Sequence, residues 1–144
     1  MTGGKLLGID HGIRRIGLAV CDRLRLTARE LAIIERKSRQ EDFDRINAIA
    51  RVEGVVGIVI GLPTNEAPSG THTQADTVRL WVQRFSQTTD LPILLWDEQL
   101  SSEDAQALAQ LKRRKPADPI DDLAARIILQ NYLDAERDGL VAEI

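Results

Sequence analysis

The sequence predicts an α/β protein with a five-stranded mixed sheet, element order β-β-β-α-β-α-β-α-α and helices on both faces. Short apolar runs rich in Val, Ile and Leu end at glycines or acids, which is typical of strands. Longer segments with apolar residues at helical spacing separate the later runs. Strands separated by helices are expected to lie parallel, whereas strands that follow one another directly form a meander.

The first three strands are predicted at residues 5–10, 15–21 and 28–35. A tight turn that contains Gly12 joins the first two, which is the pattern of a β-hairpin. The first of these strands ends in a carboxylate, Asp10. An acid at the mouth of such a hairpin suits a metal ion or a phosphate group.

The middle of the chain alternates helices and strands. Ser38 is the predicted N-cap of a first helix, and Glu41 three residues later completes a capping-box pattern. The nearly continuous apolar run at 55–60 predicts a central strand buried on both faces. A loop at 64–73, a helix at 74–86 and a strand at 91–96 follow, and this strand is followed directly by two acids.

The last third of the chain contains two predicted helices. The first opens on two serines at 101–102 and runs to about residue 111, before the basic run at 112–115. Asp118 is the predicted N-cap of the last helix, with Pro119 at its first position. That helix is expected to run to about residue 137, with Gly139 as its stop.

Composition limits the class of protein. With 144 residues, of which 43% are hydrophobic, the chain is expected to form a single domain, 1–144. A net charge of -3 argues against a protein that coats nucleic acid nonspecifically, but it allows a local basic patch. One cysteine excludes an internal disulfide framework, and no apolar run suits a bilayer span. A cytoplasmic protein is expected.

Acids follow two of the predicted parallel strands. Asp10 ends the first strand, and Asp97 and Glu98 follow the last one. The carboxyl ends of parallel strands meet at one edge of a sheet, so these acids are expected to converge. Asp121 or Asp122, early in the last helix, supplies a third acid. Three carboxylates without histidine or cysteine partners favour Mg²⁺ or Mn²⁺, and such sites usually serve phosphoryl chemistry.

Four sequence blocks carry a family resemblance. They are Asp-x-Gly-x-x-Arg-Ile-Gly at 10–17, Gly-Leu-Pro at 61–63, Asp-Glu-Gln-Leu-Ser-Ser at 97–102 and Asp-x-x-Ala-Ala at 121–125. In this order they resemble the YqgF family, also named for Holliday junction resolution, of the ribonuclease H-like superfamily. Each block is weak alone, but four in order make a specific match over about residues 5–135.

The resemblance implies a ribonuclease H-like fold and a Mg²⁺-dependent nuclease, a hydrolase of phosphodiesters. It assigns the catalytic and metal-binding roles to Asp10, Glu98 and Asp121. The implied substrate is the 5′ end of pre-16S ribosomal RNA during ribosome biogenesis, and a pre-ribosomal particle is a candidate partner. The alternative substrate is a four-way DNA junction, for which a homodimer rather than a monomer would supply two active sites.

Two rival functions remain open at this point. Gln99 replaces an arginine of the family pattern, and this departure keeps a catalytically silent nucleic-acid-binding module in play. An actin-like phosphotransferase shares the hairpin with its Asp and Gly, but it normally needs two such domains to close over ATP. The three acids favour the nuclease over both.

Basic residues near the acids are the predicted nucleic-acid contacts. They lie in the hairpin turn and in the basic run, and they are Arg14, Arg15, Lys112, Arg113, Arg114 and Lys115. Binding through such residues would weaken with added salt. Two further side chains carry no functional expectation: His11 is expected to be solvated at the hairpin, and Trp81 to pack in the core.

Overall fold

The computed structural model describes residues 3–63, 73–98, 102–141 and 143–144, except for the side chains at 98, 102, 103 and 105. Its elements follow the predicted order. The strands are β1 (Leu6–His11), β2 (Arg15–Cys21), β3 (Ala28–Glu35), β4 (Gly57–Pro63) and β5 (Ile93–Glu98). The helices are α1 (Arg39–Glu53), α2 (Gln74–Ser86), α3 (Ser102–Leu111) and α4 (Asp121–Arg137).

The five strands form one mixed sheet in the order β3-β2-β1-β4-β5. The β1–β2 and β2–β3 pairs are antiparallel, whereas β4 runs parallel to both β1 and β5. The predicted meander and the two parallel additions are therefore confirmed. The carboxyl ends of β1, β4 and β5 lie at the same edge of the sheet, where Glu98 pairs with Pro63 through the backbone.

Two hydrophobic cores cover the two faces of the sheet. One packs α1 and α2 on alternate strand residues that include Leu7 and Ile9. The other packs α4 on the opposite face, against residues such as Leu6 and Val59. Helices therefore cover both faces of the sheet, as predicted. Because successive strand residues point to opposite faces, the side chains of β1 face α4 and the α1/α2 pair alternately.

The boundaries of β4 and β5 differ from the prediction. Both strands begin two residues later than expected, at Gly57 and Ile93, and both extend further at their carboxyl ends. Val55 is apolar, but its N–H donates to the carbonyl of Ala50 and so belongs to the turn that ends α1. An apolar run alone does not separate a strand from the turn that feeds it.

The last helix begins later than predicted. The helix begins at Asp121, and Ile120 occupies the N-cap position without a side-chain capping bond. The predicted cap, Asp118, instead accepts a hydrogen bond from the N–H of Lys115 at 2.7 Å. Its own N–H donates back to the Lys115 carbonyl at 3.0 Å. Asp118 therefore stabilises a turn between α3 and α4 and does not cap the helix.

Two other predicted helix ends are confirmed, whereas the capping side chains predicted for α3, at 101 and 102, lie outside the described residues. The Ser38 side chain caps α1 by accepting from the N–H of Glu41, as predicted, although the reciprocal half of the capping box is absent from this described pair. Gly139 adopts φ +74° just beyond α4, the left-handed conformation that ends helices. Within the described ranges, no helix is long and apolar enough to cross a membrane.

Candidate active site

Asp10 and Asp121 come together at the carboxyl edge of the sheet. Asp10 lies near the end of β1 on the face that α4 covers, and Asp121 is the first residue of α4. The Asp121 carboxylate lies over the hairpin turn, since a Cβ added at Gly12 would be 3.5 Å from its Oδ1. The structure therefore brings together two of the three acids that the sequence singled out.

Gly17 makes this approach possible. It pairs with Asp10 across the hairpin, and a Cβ at this position would overlap the backbone carbonyl of Asp121. The first turn of α4 therefore rests directly on the backbone of β2. Any larger residue at this position would push the helix start, and the Asp121 carboxylate with it, away from Asp10.

Burial and repulsion both act on the Asp10 carboxyl group. Removal from water and the nearby Asp121 carboxylate raise the pKa of Asp10 from 3.8 to about 6. Both effects disfavour an unpaired negative charge, and a cation bound between the two acids would relieve both. A carboxyl group with a raised pKa beside a second carboxylate is a common feature of functional sites.

Asp122 has a different role from its neighbour. Its two oxygens accept hydrogen bonds from Arg114 at 2.6 and 2.8 Å, a bidentate ion pair that is mostly buried. Arg114 also donates to the Pro119 carbonyl. The pair connects the end of α3 to the start of α4, and it leaves Asp121 as the acid that faces Asp10.

The third predicted acid is located by its backbone only. Glu98 is the last residue of β5, at the sheet edge that carries Asp10, and its side chain lies outside the described residues, as does Gln99. Asp97 is exposed. Among the side chains that are described, no three His, Cys, Asp or Glu residues converge on one point. The described part of the site is therefore a carboxylate pair, Asp10 and Asp121.

The six predicted nucleic-acid contacts fall into two groups. Three are engaged within the protein: Arg15 with Glu35, Lys112 with Glu30, and Arg114 with Asp122. The other three are exposed and form no ion pair with any residue in the described ranges. These are Arg14, Arg113 and Lys115.

His11 is buried, contrary to the expectation of a solvated hairpin residue. Only 7% of it is exposed, and its ring lies 4.9 Å from that of Trp81, which packs in the core as expected. Burial, followed by the charge of Arg36, lowers the pKa of His11 to about 4. The alternation of side chains along the strand could have predicted this burial, because Leu7, Ile9 and His11 occupy one face of β1.

Comparison with known proteins agrees with this geometry. The sequence profile of the RuvX family, described as Holliday junction resolvase, matches residues 4–135. A relative from Symbiobacterium thermophilum, named as a candidate pre-16S rRNA nuclease, is 40% identical over 89% of this chain and 90% of its own length. A Cereibacter sphaeroides relative with the same name is 42% identical over 91% of this chain and 83% of its own.

Solved structures share the fold at low sequence identity. RuvC of T. thermophilus in complex with a Holliday junction superposes with a TM-score of 0.59 at 17% identity, covering 98% of this chain and 99% of that one. The fowlpox virus Holliday junction resolvase gives 0.53 at 11% identity, over 91% and 99% of the two chains. The predicted ribonuclease H-like fold class is confirmed. From the profile match and these relatives, the chain belongs to the RuvX family, also called YqgF.

Proposed function

We propose that this chain is a metal-dependent endonuclease that trims the 5′ end of pre-16S ribosomal RNA. The observation that supports this proposal is the half-buried pair of Asp10 and Asp121 at the carboxyl edge of the sheet. The prediction of nuclease activity is confirmed by the family and by its relatives' names. The site residues, the metal and the RNA substrate are proposals.

The donor set fits a hard divalent cation. Carboxylate oxygens are the ligands that Mg²⁺ and Mn²⁺ prefer, and the raised pKa of Asp10 indicates a site that lacks a counter-charge. Asp10, Asp121 and Glu98 would hold the ion. When bound, it would supply an activated water and stabilise the departing oxygen of the phosphodiester.

The surrounding residues hold these acids in place. The Arg114–Asp122 pair fixes the first turn of α4 against the end of α3, and the backbone contact at Gly17 fixes the same turn against β2. Asp121 is thus held from two sides. Such fixed placement matters because small displacements of a catalytic group cost large factors in rate.

The three exposed basic residues are the proposed phosphate contacts. Arg14 projects from the hairpin beside the site, and Arg113 and Lys115 lie in the segment that leads into α4. They concentrate positive charge next to the carboxylates of a chain whose net charge is -3. Local charge of this kind guides a nucleic-acid strand to the site without coating the whole protein.

Pre-16S ribosomal RNA is the preferred substrate because several relatives at 35–42% identity carry that name. The four-way DNA junction is the second candidate. It is favoured by the description of the RuvX family and by the junction-bound RuvC structure. RuvC shares the fold at only 17% identity, so it does not select the substrate of this chain.

A cleavage assay separates the two substrates. The purified protein is incubated with Mg²⁺ and either a pre-16S RNA fragment that contains the mature 5′ end or a four-way DNA junction. We expect cutting of the RNA, a greatly reduced rate for Asp10→Asn, and an unchanged rate for Asp90→Asn, an exposed acid before β5. Cutting of the junction alone would reassign the substrate, and equal cutting by Asp10→Asn would reject the proposed site.

A further inference from the structure

A cavity rich in hydrogen-bond donors lies on the α1/α2 face of the sheet, beside the end of β1. Its volume is about 330 Å³. The lining includes His11, Arg36, Arg39, Thr77, Trp81 and Arg84. His11 and Asp10 are neighbours on β1, but their side chains point to opposite faces. The cavity is therefore separate from the candidate active site.

Two buried nitrogen atoms in this lining have no partner among the described residues. They are Nε1 of Trp81 and Nε2 of His11, in side chains that are 4% and 7% exposed. A buried polar atom left without a hydrogen-bond partner destabilises the folded protein. An indole N–H can only donate, so a ligand that presents oxygen acceptors would compensate this cost.

The cavity also carries unpaired positive charge. Arg39 at the start of α1 and Arg84 near the end of α2 are exposed and form no ion pair within the described ranges. Arg36 is partly engaged, because it donates to the Gly12 carbonyl at 2.9 Å and lies 3.8 Å from the Asp42 carboxylate. Within the described ranges, Asp42 is the one acid in ion-pair contact with these three arginines, so an excess of positive charge remains.

We infer that this cavity binds a phosphate group of a nucleic-acid strand, at a site on the face of the sheet opposite the candidate active site. Guanidinium groups donate in a fork that matches phosphate oxygens, and the Trp81 N–H adds a further donor. The inference rests on the proposed function, because it takes the phosphate to belong to the RNA. A strand that passes the hairpin tip would contact both faces of the sheet.

The first test measures RNA binding without metal, so that no cleavage occurs. A double variant, Arg39→Gln with Arg84→Gln, is compared with a control, Arg51→Gln with Arg79→Gln. The control changes the same two helices and the same charge, outside the cavity. Fluorescence anisotropy with a labelled single-stranded RNA is recorded over a range of salt concentrations.

We expect the cavity variant to bind several-fold more weakly than the parent, while the control stays close to the parent. The slope of log affinity against log salt should become shallower by about 0.7 for each phosphate that the variant no longer neutralises. Equal affinities and equal slopes for the cavity variant and the control would overturn the inference.

The second test is independent of RNA and of catalysis. The chain has two histidines, so a His11→Gln variant assigns the imidazole nitrogen signals of His11 in ¹⁵N NMR. Titration with inorganic phosphate should shift these signals in the parent and the control but not in the cavity variant. Unchanged His11 signals in the parent would reject a phosphate site.

The two tests separate this inference from the proposed function. If the parent cuts RNA but gives negative results in both tests, the proposed nuclease function is kept and the phosphate site in the cavity is rejected. If the parent neither binds nor cuts RNA but the His11 signals shift with phosphate, RNA is rejected as the source of the phosphate. The cavity would then be a site for free phosphate.

Discussion

Asp10 has an environment unlike that of an ordinary surface acid. Its pKa lies near 6 in the folded protein against 3.8 for an unperturbed aspartate, chiefly because it is buried. A folded state that favours the protonated carboxyl loses stability as pH rises from 3.8 through 6. The metal-free protein therefore carries an electrostatic cost at neutral pH, in the position where the proposed cation would bind.

Replacement of Asp10 by Asn should stabilise the metal-free protein at pH 7.5. The asparagine lacks the buried charge, so the free energy of unfolding is expected to rise by on the order of 2 kcal/mol. The gain should shrink as pH falls through 6 and vanish below 4. Urea denaturation in EDTA at several pH values measures it. A destabilised Asp10→Asn at pH 7.5 would contradict the electrostatic account.

Arg114 illustrates how a residue predicted to bind nucleic acid takes a structural role. The basic run in the sequence does not reveal which of its members is paired, because the partner, Asp122, lies on another element. Arg114 and Asp122 form a bidentate pair at 2.6 and 2.8 Å, with side chains 21% and 10% exposed. Removing one partner of such a pair leaves the other charge mostly buried and unpaired.

The Arg114→Gln substitution should lower the free energy of unfolding by about 2 kcal/mol, because the buried Asp122 carboxylate loses its counter-charge. It should also slow cleavage more than it weakens RNA binding, since it loosens the start of α4 and the Asp121 carboxylate with it. Arg113→Gln is the matched control for stability only, because Arg113 is a proposed phosphate contact, and it should keep the stability of the parent. A loss of RNA affinity from Arg114→Gln with unchanged stability would show a direct phosphate contact instead.

At the scale of elements, α4 has the largest part in building the site. It lies across the sheet on the same face as Asp10, and its first turn contacts the backbone of β2 at Gly17. The Asp-x-Gly-x-x-Arg-Ile-Gly block places that glycine opposite Asp10 in the hairpin register. The short motif therefore contains both the acid and the surface that admits the second acid.

The Gly17→Ala substitution should displace the start of α4. The added methyl group would overlap the Asp121 carbonyl, and overpacking of this kind costs typically 1–3 kcal/mol of stability. Cleavage should fall further than stability alone explains, because Asp121 moves away from Asp10. Thermal unfolding and cleavage rates test this, with Gly3→Ala as the control, where the added Cβ meets only a distant carbonyl. Parent-like cleavage by Gly17→Ala would contradict the close packing.

The elements themselves were largely predictable because most of them carry strong periodic patterns. The hairpin, α2 and the end of α4 follow the prediction closely. The predicted start of α4 was wrong, because Asp118 followed by Pro119 is a favourable helix start when only the local sequence is considered. The structure uses Asp118 in a turn with Lys115 instead. Competition between a local turn and a helix cap depends on where the chain must go next, which the local sequence does not contain.

At the scale of the whole molecule, the order of strands decides which acids converge. The sheet places β1 between β2 and β4 and puts the ends of β1 and β5 at the same edge. This order brings the backbone of Glu98 to the edge that carries Asp10, whereas Asp121 reaches Asp10 because the first turn of α4 packs on β2 at Gly17. Parallel topology could be read from the sequence, whereas side-chain pairing such as Arg114 with Asp122 depends on the approach of α3 to α4.

The distribution of charge shows the same limit of sequence reasoning. The sequence identified two basic clusters near the acids, and only Arg14, Arg113 and Lys115 of them remain exposed and unpaired in the described ranges. It did not indicate the cavity around His11 and Trp81. That cavity forms because α1 and α2 bring distant arginines to the end of β1. Such a site depends on packing between helices and leaves no short motif.

We propose that Asp10, Glu98 and Asp121 hold a divalent cation for cleavage of RNA. The most direct measurement is calorimetric titration of the protein with Mn²⁺, in the parent and in single Asp10→Asn, Glu98→Gln and Asp121→Asn variants, with Asp97→Asn as the control. We expect the parent and the control to bind Mn²⁺ with similar affinity, and each of the three variants to lose most of that binding. Undiminished Mn²⁺ binding by Asp10→Asn or Asp121→Asn would contradict a metal site formed by these acids.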